Sequence, residues 1–181
     1  MSLPGSRRRI QELVEQYYLP LYRYAYRLSG SAGDAEDLTQ DAFCQAQLKL
    51  NQLRDPGRAK AWLFSILRNA YLHRVRDARR QQMLPLEYVG DVADRLPEPL
   101  PEIEPERLQE VLSELPEDFR TPVILFYFED FSYRDIAEQM ELPLGTVMSR
   151  LARAKAHLRA RLLPAAAAVG AEHQRRASDG L

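Results

Sequence analysis

Basic side chains crowd the stretch from Ser132 to Arg161. Arginine can donate two hydrogen bonds to the O6 and N7 atoms of guanine, and small hydroxyl side chains also pair with base edges. Four side chains with this chemistry lie on one face of a predicted helix: Thr146, Ser149, Arg150 and Arg153. Arg134, on the segment before them, is a candidate for a phosphate contact. The stretch is therefore a candidate for reading duplex DNA.

Two short helices with a tight turn between them must position these side chains. Ile136 and Met140 give the first helix an apolar face. Pro143 lies in the turn and suits the first position of a new helix, where a missing N–H costs nothing. Apolar residues then recur at helical spacing at Val147, Leu151, Ala154 and Leu158. The pattern is typical of a helix-turn-helix, but an ordinary helical hairpin with a solvated charged face stays open as the alternative.

A second basic helix is predicted from about Arg58 to Arg80. Asn69 and His73 lie one turn apart on it, where polar groups can border a pocket for an extruded base. A lone helical histidine is commonly structural, so both interpretations of His73 stay open; Trp62 is favoured as a core residue over a base-stacking one. Several arginines are candidates for phosphate contacts, which add affinity but little sequence information: Arg68, Arg74, Arg76, Arg79 and Arg80.

A third surface is acidic. Asp37, Gln40 and Asp41 are spaced as neighbours on one helical face, pointing away from the apolar residues around them. Carboxylate and amide groups in this arrangement suit a basic helical partner. The alternative is a solvated face that the helix dipole stabilises. Asp34, placed just after a glycine-rich break, is predicted to cap the start of this helix.

Helical periodicity extends over most of the chain. Apolar residues follow a 3.6-residue period from Arg7 to Leu28, where Pro20 predicts a kink or a break near Leu19. Residues 83–105 contain five prolines and one Lys/Arg against six Asp/Glu, which predicts a flexible acidic linker. The expected fold is all-α: a helical domain over residues 1–82, the linker 83–105, a helix-turn-helix domain over 106–163 and a disordered tail over 164–181.

Charge distribution, apolar runs and cysteine content limit the classes of protein to which the chain can belong. The net charge is −1, yet residues 144–163 hold five Lys/Arg and no Asp/Glu, so charge is strongly segregated. No apolar run is long enough to span a bilayer, and the N-terminus lacks the apolar core of a secretory signal. Cys44 is the only cysteine, which excludes an internal disulfide and fits a reducing cytoplasm.

The sequence contains no residue pattern that is typical of an enzyme active site. The carboxylates at 34, 36, 37 and 41 lack histidine partners and the glycine-bearing loop of a calcium site, so no metal is expected there. No phosphate-binding glycine loop and no nucleophile with a base is present. We therefore expect no enzyme activity, no cofactor and no small-molecule substrate.

The chain resembles a bacterial RNA polymerase sigma factor of the extracytoplasmic function (ECF) type. Four stretches carry the resemblance from about residue 10 to residue 163: YYLPLYRYAYRL, DAEDLTQDAF, AWLFSILRNAYL and the long segment from Leu115 to Arg161. Their order and spacing, with the acidic linker between them, make the match specific. The resemblance implies a sigma region 2 bundle followed by a sigma region 4 helix-turn-helix.

What the resemblance implies can be assigned residue by residue. Asp37, Gln40 and Asp41 match positions that bind the β′ clamp coiled coil of core RNA polymerase; the β flap is the second polymerase contact. The −10 element, read as single-stranded DNA, is assigned to Arg68, Asn69, His73, Arg76, Arg79 and Arg80. The −35 element is assigned to Arg134, Thr146, Ser149, Arg150 and Arg153. Met148 and Ala152 depart from frequent residues, which leaves the −35 sequence open.

The resemblance also implies an anti-sigma factor as a partner, and with it either a free cytoplasmic location or attachment at the inner membrane face. Two other hypotheses compete with the hypothesis that the chain is a sigma factor. One is a stand-alone helix-turn-helix regulator with an N-terminal sensing module, although residues 1–82 lack the alternating strands of a phosphoacceptor domain. The other is a metal-dependent hydrolase, which the carboxylates alone do not support.

Overall fold

The computed structural model describes residues 4–79 and 103–163, and this part of the chain contains helices and turns but no strand. The expected all-α fold is confirmed. Three helices form an N-terminal half: α1 (Pro4–Ser29), α2 (Ala32–Leu48) and α3 (Ala59–Arg79), with 3-10 turns at Leu50–Gln52 and Pro56–Arg58. Four helices form a C-terminal half: α4 (Pro105–Glu114), α5 (Glu117–Tyr127), α6 (Tyr133–Met140) and α7 (Leu144–Leu162). The predicted tail and nearly all of the predicted linker lie outside the described residues.

The N-terminal half is a three-helix bundle. Side chains spaced by three and four residues turn inward from each helix, which is the pattern that places an apolar stripe on one helical face. The fully buried core includes Leu21, Leu28, Leu38, Ala42, Leu63 and Leu67. α1 continues through Pro20 without a break. Because α1 packs along α2 and α3, tertiary contacts hold the helix together where one backbone hydrogen bond is lost.

The start of α2 corrects one prediction. Ser31, and not Asp34, is the N-cap, since its backbone is extended and its hydroxyl accepts a hydrogen bond from the N–H of Asp34 at 3.3 Å. Asp34 lies in the first turn instead, where its charge is favoured by the helix dipole. Ser31 lies three residues earlier, where its hydroxyl accepts from one of the free N–H groups that follow it in the first turn.

The C-terminal half contains the predicted helix-turn-helix. Ser132 and Asp135 form a reciprocal capping box at the start of α6. Glu141 ends α6 in the left-handed conformation, with φ at 54°, and so turns the chain toward α7. Ile136, Val147 and Leu151 are buried between α6 and α7. These contacts fix the angle at which α7 presents its outer face.

The two halves pack against each other. Phe64 of α3 and Phe131, just before α6, place their ring centroids 5.3 Å apart, and the Arg27 guanidinium lies 4.2 Å from the centre of the Phe128 ring. Arg120 donates a hydrogen bond of 2.6 Å to the backbone oxygen of Leu28 at the end of α1. Buried residues of both halves therefore form one continuous apolar cluster.

Candidate nucleic-acid interface

The acidic face of α2 is exposed as predicted. Asp37, Gln40 and Asp41 all point to solvent, opposite the buried Leu38 and Ala42. Asp41 is not isolated, since its carboxylate accepts a hydrogen bond of 2.6 Å from Arg74 on α3. The ion pair joins the candidate polymerase contact to the candidate promoter contact.

The predicted DNA-binding residues of α3 do not all share one face. Asn69, His73 and Arg76 are exposed and lie at positions i, i+4 and i+7, so they form a single strip along the helix. We call this strip the α3 face. The side chain of Arg79 and all of Arg80 lie outside the described residues.

Arg68 points the other way, into the contact between the two halves. Its guanidinium lies 3.6 Å from the Glu117 carboxylate, and the two side chains are only 13% and 11% exposed. It also donates to the backbone oxygen of Gln139 at 3.5 Å. The structure therefore separates Arg68 from Asn69, its neighbour in sequence, because consecutive helical residues point about 100° apart.

The outer face of α7 carries the predicted duplex-reading residues. Ser149 and Arg153 are exposed, while Thr146 and Arg150 are half-buried; Arg134 is exposed at the start of α6. The hydroxyl of Ser149 donates to the backbone oxygen of Thr146 at 3.0 Å. The structure thus brings Thr146, Ser149, Arg150 and Arg153 onto one helix, with its N-terminal end free of acidic side chains.

Arg150 is held by α5. Its guanidinium lies 3.2 Å from the Asp118 carboxylate and donates to the Asp118 backbone oxygen at 3.4 Å. Pro122 explains why that oxygen is available, since proline lacks the N–H that would pair with the carbonyl four residues earlier. Pro122, inside α5, thereby leaves free the backbone oxygen that accepts a hydrogen bond from Arg150.

Two residues at which the sequence departs from frequent family residues also reach the surface. Met148 is 51% exposed, and Ala152 is exposed one turn further along α7. They adjoin Ser149, so an apolar strip borders the polar one. Such a surface suits apolar contact with a thymine methyl group as well as hydrogen bonds to base edges.

An aromatic cluster beside the acidic face went unrecognised in the sequence. Tyr18 is 44% exposed and stacks between Tyr22 and Phe43, with ring centroids 6.5 and 6.4 Å away. The four-residue spacing of the two tyrosines was the available signal. Half-exposed aromatic rings next to carboxylates form a surface of the kind that protein interfaces favour.

Burial raises the pKa values of two acidic groups where the N-terminal and C-terminal halves meet. Burial raises the pKa of the Glu129 carboxyl to about 7, although Lys60 and Arg27 nearby favour its charged form. Burial likewise raises the pKa of the Tyr24 hydroxyl.

No group of three or more His, Cys, Asp or Glu side chains that could hold a metal ion occurs among the described residues. Within the same residues, no helix is long and apolar enough to cross a membrane.

Two family matches fall on the N-terminal and the C-terminal half of the chain, respectively. Residues 13–81 match the family described as Sigma-70 region 2, and residues 106–158 match Sigma-70, region 4. The first match covers α3 and the acidic face of α2, and the second covers the helix-turn-helix.

Two curated relatives are ECF RNA polymerase sigma factors. The ECF RNA polymerase sigma factor SigE of Mycolicibacterium smegmatis is 40% identical over 158 residues, which are 82% of this chain and 59% of that protein. The ECF RNA polymerase sigma factor SigM of Mycobacterium tuberculosis is 35% identical over 159 residues, 88% of this chain and 79% of that protein. The chain therefore spans less than two thirds of the length of SigE.

Solved structures share the fold. The sigma factor RpoE from Bartonella quintana, in complex with the anti-sigma factor NepR, superposes with a TM-score of 0.69 at 28% identity. The alignment covers 84% of this chain and 95% of that one. CnrH, in complex with the cytosolic domain of CnrY, superposes with a TM-score of 0.59 at 23% identity and supports the fold alone.

Proposed function

We propose, from the premise that this chain belongs to the ECF RNA polymerase sigma factors, that it binds core RNA polymerase and directs it to promoters by holding two DNA elements. The observation that carries this proposal is the pair of separate DNA-compatible surfaces, the α3 face and the outer face of α7, each inside one matched region. The polymerase supplies the chemistry of RNA synthesis, and this chain supplies recognition and strand opening.

The polymerase contact is assigned to the acidic face of α2. Asp37, Gln40 and Asp41 are exposed together and suit the basic side of a helical coiled coil such as the β′ clamp. The stacked ring of Tyr18 adds apolar area at the edge of this face. The β flap is the expected second contact, on the C-terminal half.

The −10 element is assigned to the α3 face. Asn69 and His73 can pair with the edge of an unstacked base, and Arg76 can hold the phosphates on either side. Arg79 and Arg80 extend the basic strip in sequence. Arg68 belongs to this set only after the two halves separate, since Glu117 holds it in the present arrangement.

The −35 element is assigned to α7. Thr146, Ser149, Arg150 and Arg153 enter the major groove in this proposal, with Arg134 on a backbone phosphate. Arg150 exchanges its ion pair with Asp118 for a base edge in this proposal, and an Arg–guanine pair adds about 1–3 kcal/mol of discrimination against a wrong base.

Regulation by an anti-sigma factor is part of the proposal. The sigma factor RpoE of Bartonella quintana, at 28% identity, is bound to the anti-sigma factor NepR in its solved structure. A cytoplasmic location follows from a partner in the transcription machinery, and an anti-sigma factor could hold the chain at the inner membrane face.

A stand-alone regulator is disfavoured because both sigma regions match in their order along the chain. Such a regulator needs no acidic face for polymerase, and nothing in its function requires region 2. Run-off transcription with core polymerase and a native promoter separates the two functions. Transcription that depends on this chain supports the sigma assignment; duplex binding without polymerase, and no transcription with it, would favour the regulator.

Substitutions on α2 test the proposed polymerase contact by measuring binding to core polymerase. Gln40→Ala with Asp41→Asn should weaken polymerase binding while the circular dichroism spectrum is unchanged. Glu36→Gln is a matched control, since Glu36 is exposed on the same helix outside the proposed contact. Equal affinities for the two variants would reject the acidic face as the contact.

A further inference from the structure

Apolar side chains run along the outer face of α7, beside the residues assigned to the −35 element. Three exposed residues lie at positions i, i+4 and i+8 of the helix and so form one row, which we call the apolar strip: Leu144, Met148 and Ala152. Leu144 is 44% exposed and Met148 is 51% exposed. Because core residues are buried, the packing of the C-terminal half does not account for these side chains.

The first turns of α7 present an uncharged surface. From Leu144 to Ala152, a stretch that the structure describes in full, the exposed residues are Leu144, Gly145, Met148, Ser149 and Ala152. Arg150, in the same stretch, is half-buried and forms an ion pair with Asp118 in the free chain. The N-terminal residues of a recognition helix are those that contact base edges. Apolar contact is therefore a large part of what this end of α7 can offer to a base.

Gly145 indicates that another molecule comes close to this end of α7. Glycine is less favourable than alanine within a helix. Packing in the chain does not require it, since a Cβ added at Gly145 would meet no atom within 4 Å. Glycine also allows a backbone to approach a ligand closely. Gly145 and Met148 are neighbours on the helix surface, so the missing side chain leaves room for a bulky group beside Met148.

Charge favours DNA over protein as the molecule that fills this room. Residues 144–163 hold five Lys/Arg and no Asp/Glu, so α7 attracts phosphates. The apolar strip is one residue wide, and Ser149 and Arg153 follow each other in the row beside it. A protein interface is built around a wider apolar centre that a polar rim surrounds. A narrow apolar row beside polar and basic residues suits the major groove better.

The 5-methyl group of thymine is the group in that groove that an apolar side chain can contact. Each base pair presents a distinct pattern of donors and acceptors in the major groove, and thymine adds a methyl group to its pattern. The side chain of Met148 is unbranched and its thioether is polarisable, so it can adapt to the position of a methyl group. The hydroxyl of Ser149, beside it, is able to pair with a base edge.

We propose that Met148 sets a preference for thymine at one position of the −35 element, and that Leu144 and Ala152 extend the apolar contact. This inference rests on the proposed function and names the base that α7 prefers at that position. An arginine in place of Met148 would favour guanine instead, because it donates two hydrogen bonds to O6 and N7. The side chain at position 148 therefore decides which base is preferred.

Selection of promoter DNA by the holoenzyme identifies the position. The full-length chain and core polymerase are mixed with copies of a native promoter in which the −35 element is randomised, and the bound DNA is sequenced. We expect thymine to be enriched at one position, and Met148→Ala should remove that enrichment. Met148→Arg should replace thymine with guanine there, while the other positions keep their preferences. Both substitutions keep a good helix former at an exposed site, so α7 stays folded.

Deoxyuridine tests the methyl group by itself. Uracil differs from thymine only in lacking the 5-methyl group, so its use at the selected position changes no hydrogen bond. We expect the holoenzyme to bind the thymine duplex about fourfold more tightly than the uracil duplex, which corresponds to the burial of one methyl group. With Met148→Ala the two duplexes should bind equally. A merely structural effect of the substitution would weaken binding to both duplexes and leave the ratio of the two affinities unchanged.

Leu48→Ala is the matched control, because it also truncates an exposed apolar side chain, on α2 in the other half. It should leave the ratio of the two affinities at about fourfold. Equal binding of thymine and uracil duplexes by the original chain overturns the proposal, and so does a ratio that survives in Met148→Ala. Selection of a −35 sequence without a thymine that depends on Met148 overturns this inference alone. A holoenzyme that selects no −35 sequence overturns the proposed function as well.

Discussion

The interior of the N-terminal bundle and the contact between the two halves are both buried, but they differ in how their polar atoms are satisfied. We call this contact the seam; it includes Tyr24, Arg68 and Gln139. Inside the bundle, the Thr39 hydroxyl donates to the Ala35 backbone oxygen at 2.7 Å, and its buried neighbours on α2 are apolar. In the seam, polar atoms of Tyr24, Arg68 and Gln139 have no partner, and each such atom costs about 1–3 kcal/mol. The buried polar atoms of the seam therefore oppose the packing of the two halves, whereas the bonded Thr39 hydroxyl does not oppose the packing of the bundle.

The largest expected effect lies in the bundle. Leu38→Ala removes a side chain that is 1% exposed, so the free energy of unfolding should fall by about 2–5 kcal/mol. Chemical denaturation of the full chain measures the change. Leu48→Ala, on the same helix but 83% exposed, is the matched control and should stay within about 0.5 kcal/mol of the original. Similar losses for both would mean that α2 is not anchored through Leu38.

The seam should respond in the opposite direction to an apolar substitution. Gln139→Leu replaces two unpartnered polar atoms with an apolar group of similar size, so the free energy of unfolding should rise by about 1–3 kcal/mol. Chemical denaturation of the full chain measures the change. Gln52→Leu, at an exposed turn, should leave the free energy of unfolding unchanged. A Gln139→Leu chain that is less stable than the original would show that the amide supports the contact between the halves.

Protonation of Glu129 should also favour the folded chain. Its carboxyl faces Arg23 and Arg27 of α1, Lys60 of α3 and the neighbouring Asp130, and burial raises its pKa from 4.5 to about 7. Unfolding returns the carboxyl to water and to its ordinary pKa. Folding therefore takes up a proton between about pH 4.5 and about 7, and this stabilisation is lost as the pH rises through about 7.

The contribution of Glu129 to the free energy of unfolding should accordingly fall by up to about 1.4 kcal/mol between pH 6 and pH 8. Chemical denaturation of the full chain at the two pH values measures it. Glu129→Gln retains the histidines but removes this carboxyl, so its free energy of unfolding should vary much less with pH. A pH dependence of the same size in that variant would assign the titration to another group.

Much of the fold could be predicted from periodicity. Helical spacing of apolar residues predicted the elements, and the turn at Pro143 is a local signal that the structure retains, although Pro143 is the N-cap of α7 and not its first residue. The start of α2 was placed three residues late because Ser31 and Asp34 both suit an N-cap, and sequence offers no measure of which reaches the free N–H groups.

The position of Arg68 could not be predicted in the same way. Sequence grouped it with Asn69 as part of one basic helix, although the two side chains point in different directions. Whether a basic residue faces solvent or another domain depends on tertiary packing between segments 49 residues apart, as in the pair with Glu117. The candidate polymerase and −35 surfaces were more predictable, because each lies on one face of a single helix.

The smallest expected effect concerns the second ion pair of α3, between Arg74 and Asp41. Its side chains are 38% and 54% exposed, unlike the nearly buried pair of Arg68 and Glu117. A double-mutant cycle with Asp41→Asn and Arg74→Gln should give a coupling free energy of only about 0.2–1 kcal/mol in denaturation of the free chain, and less at high salt. The pair Arg8–Glu12, exposed on α1, is the reference for a surface interaction. A coupling of about 2 kcal/mol or more would make the link between the acidic face and α3 structural, so that loss of polymerase binding on changing Asp41 would report a displaced α3 as well as a lost contact.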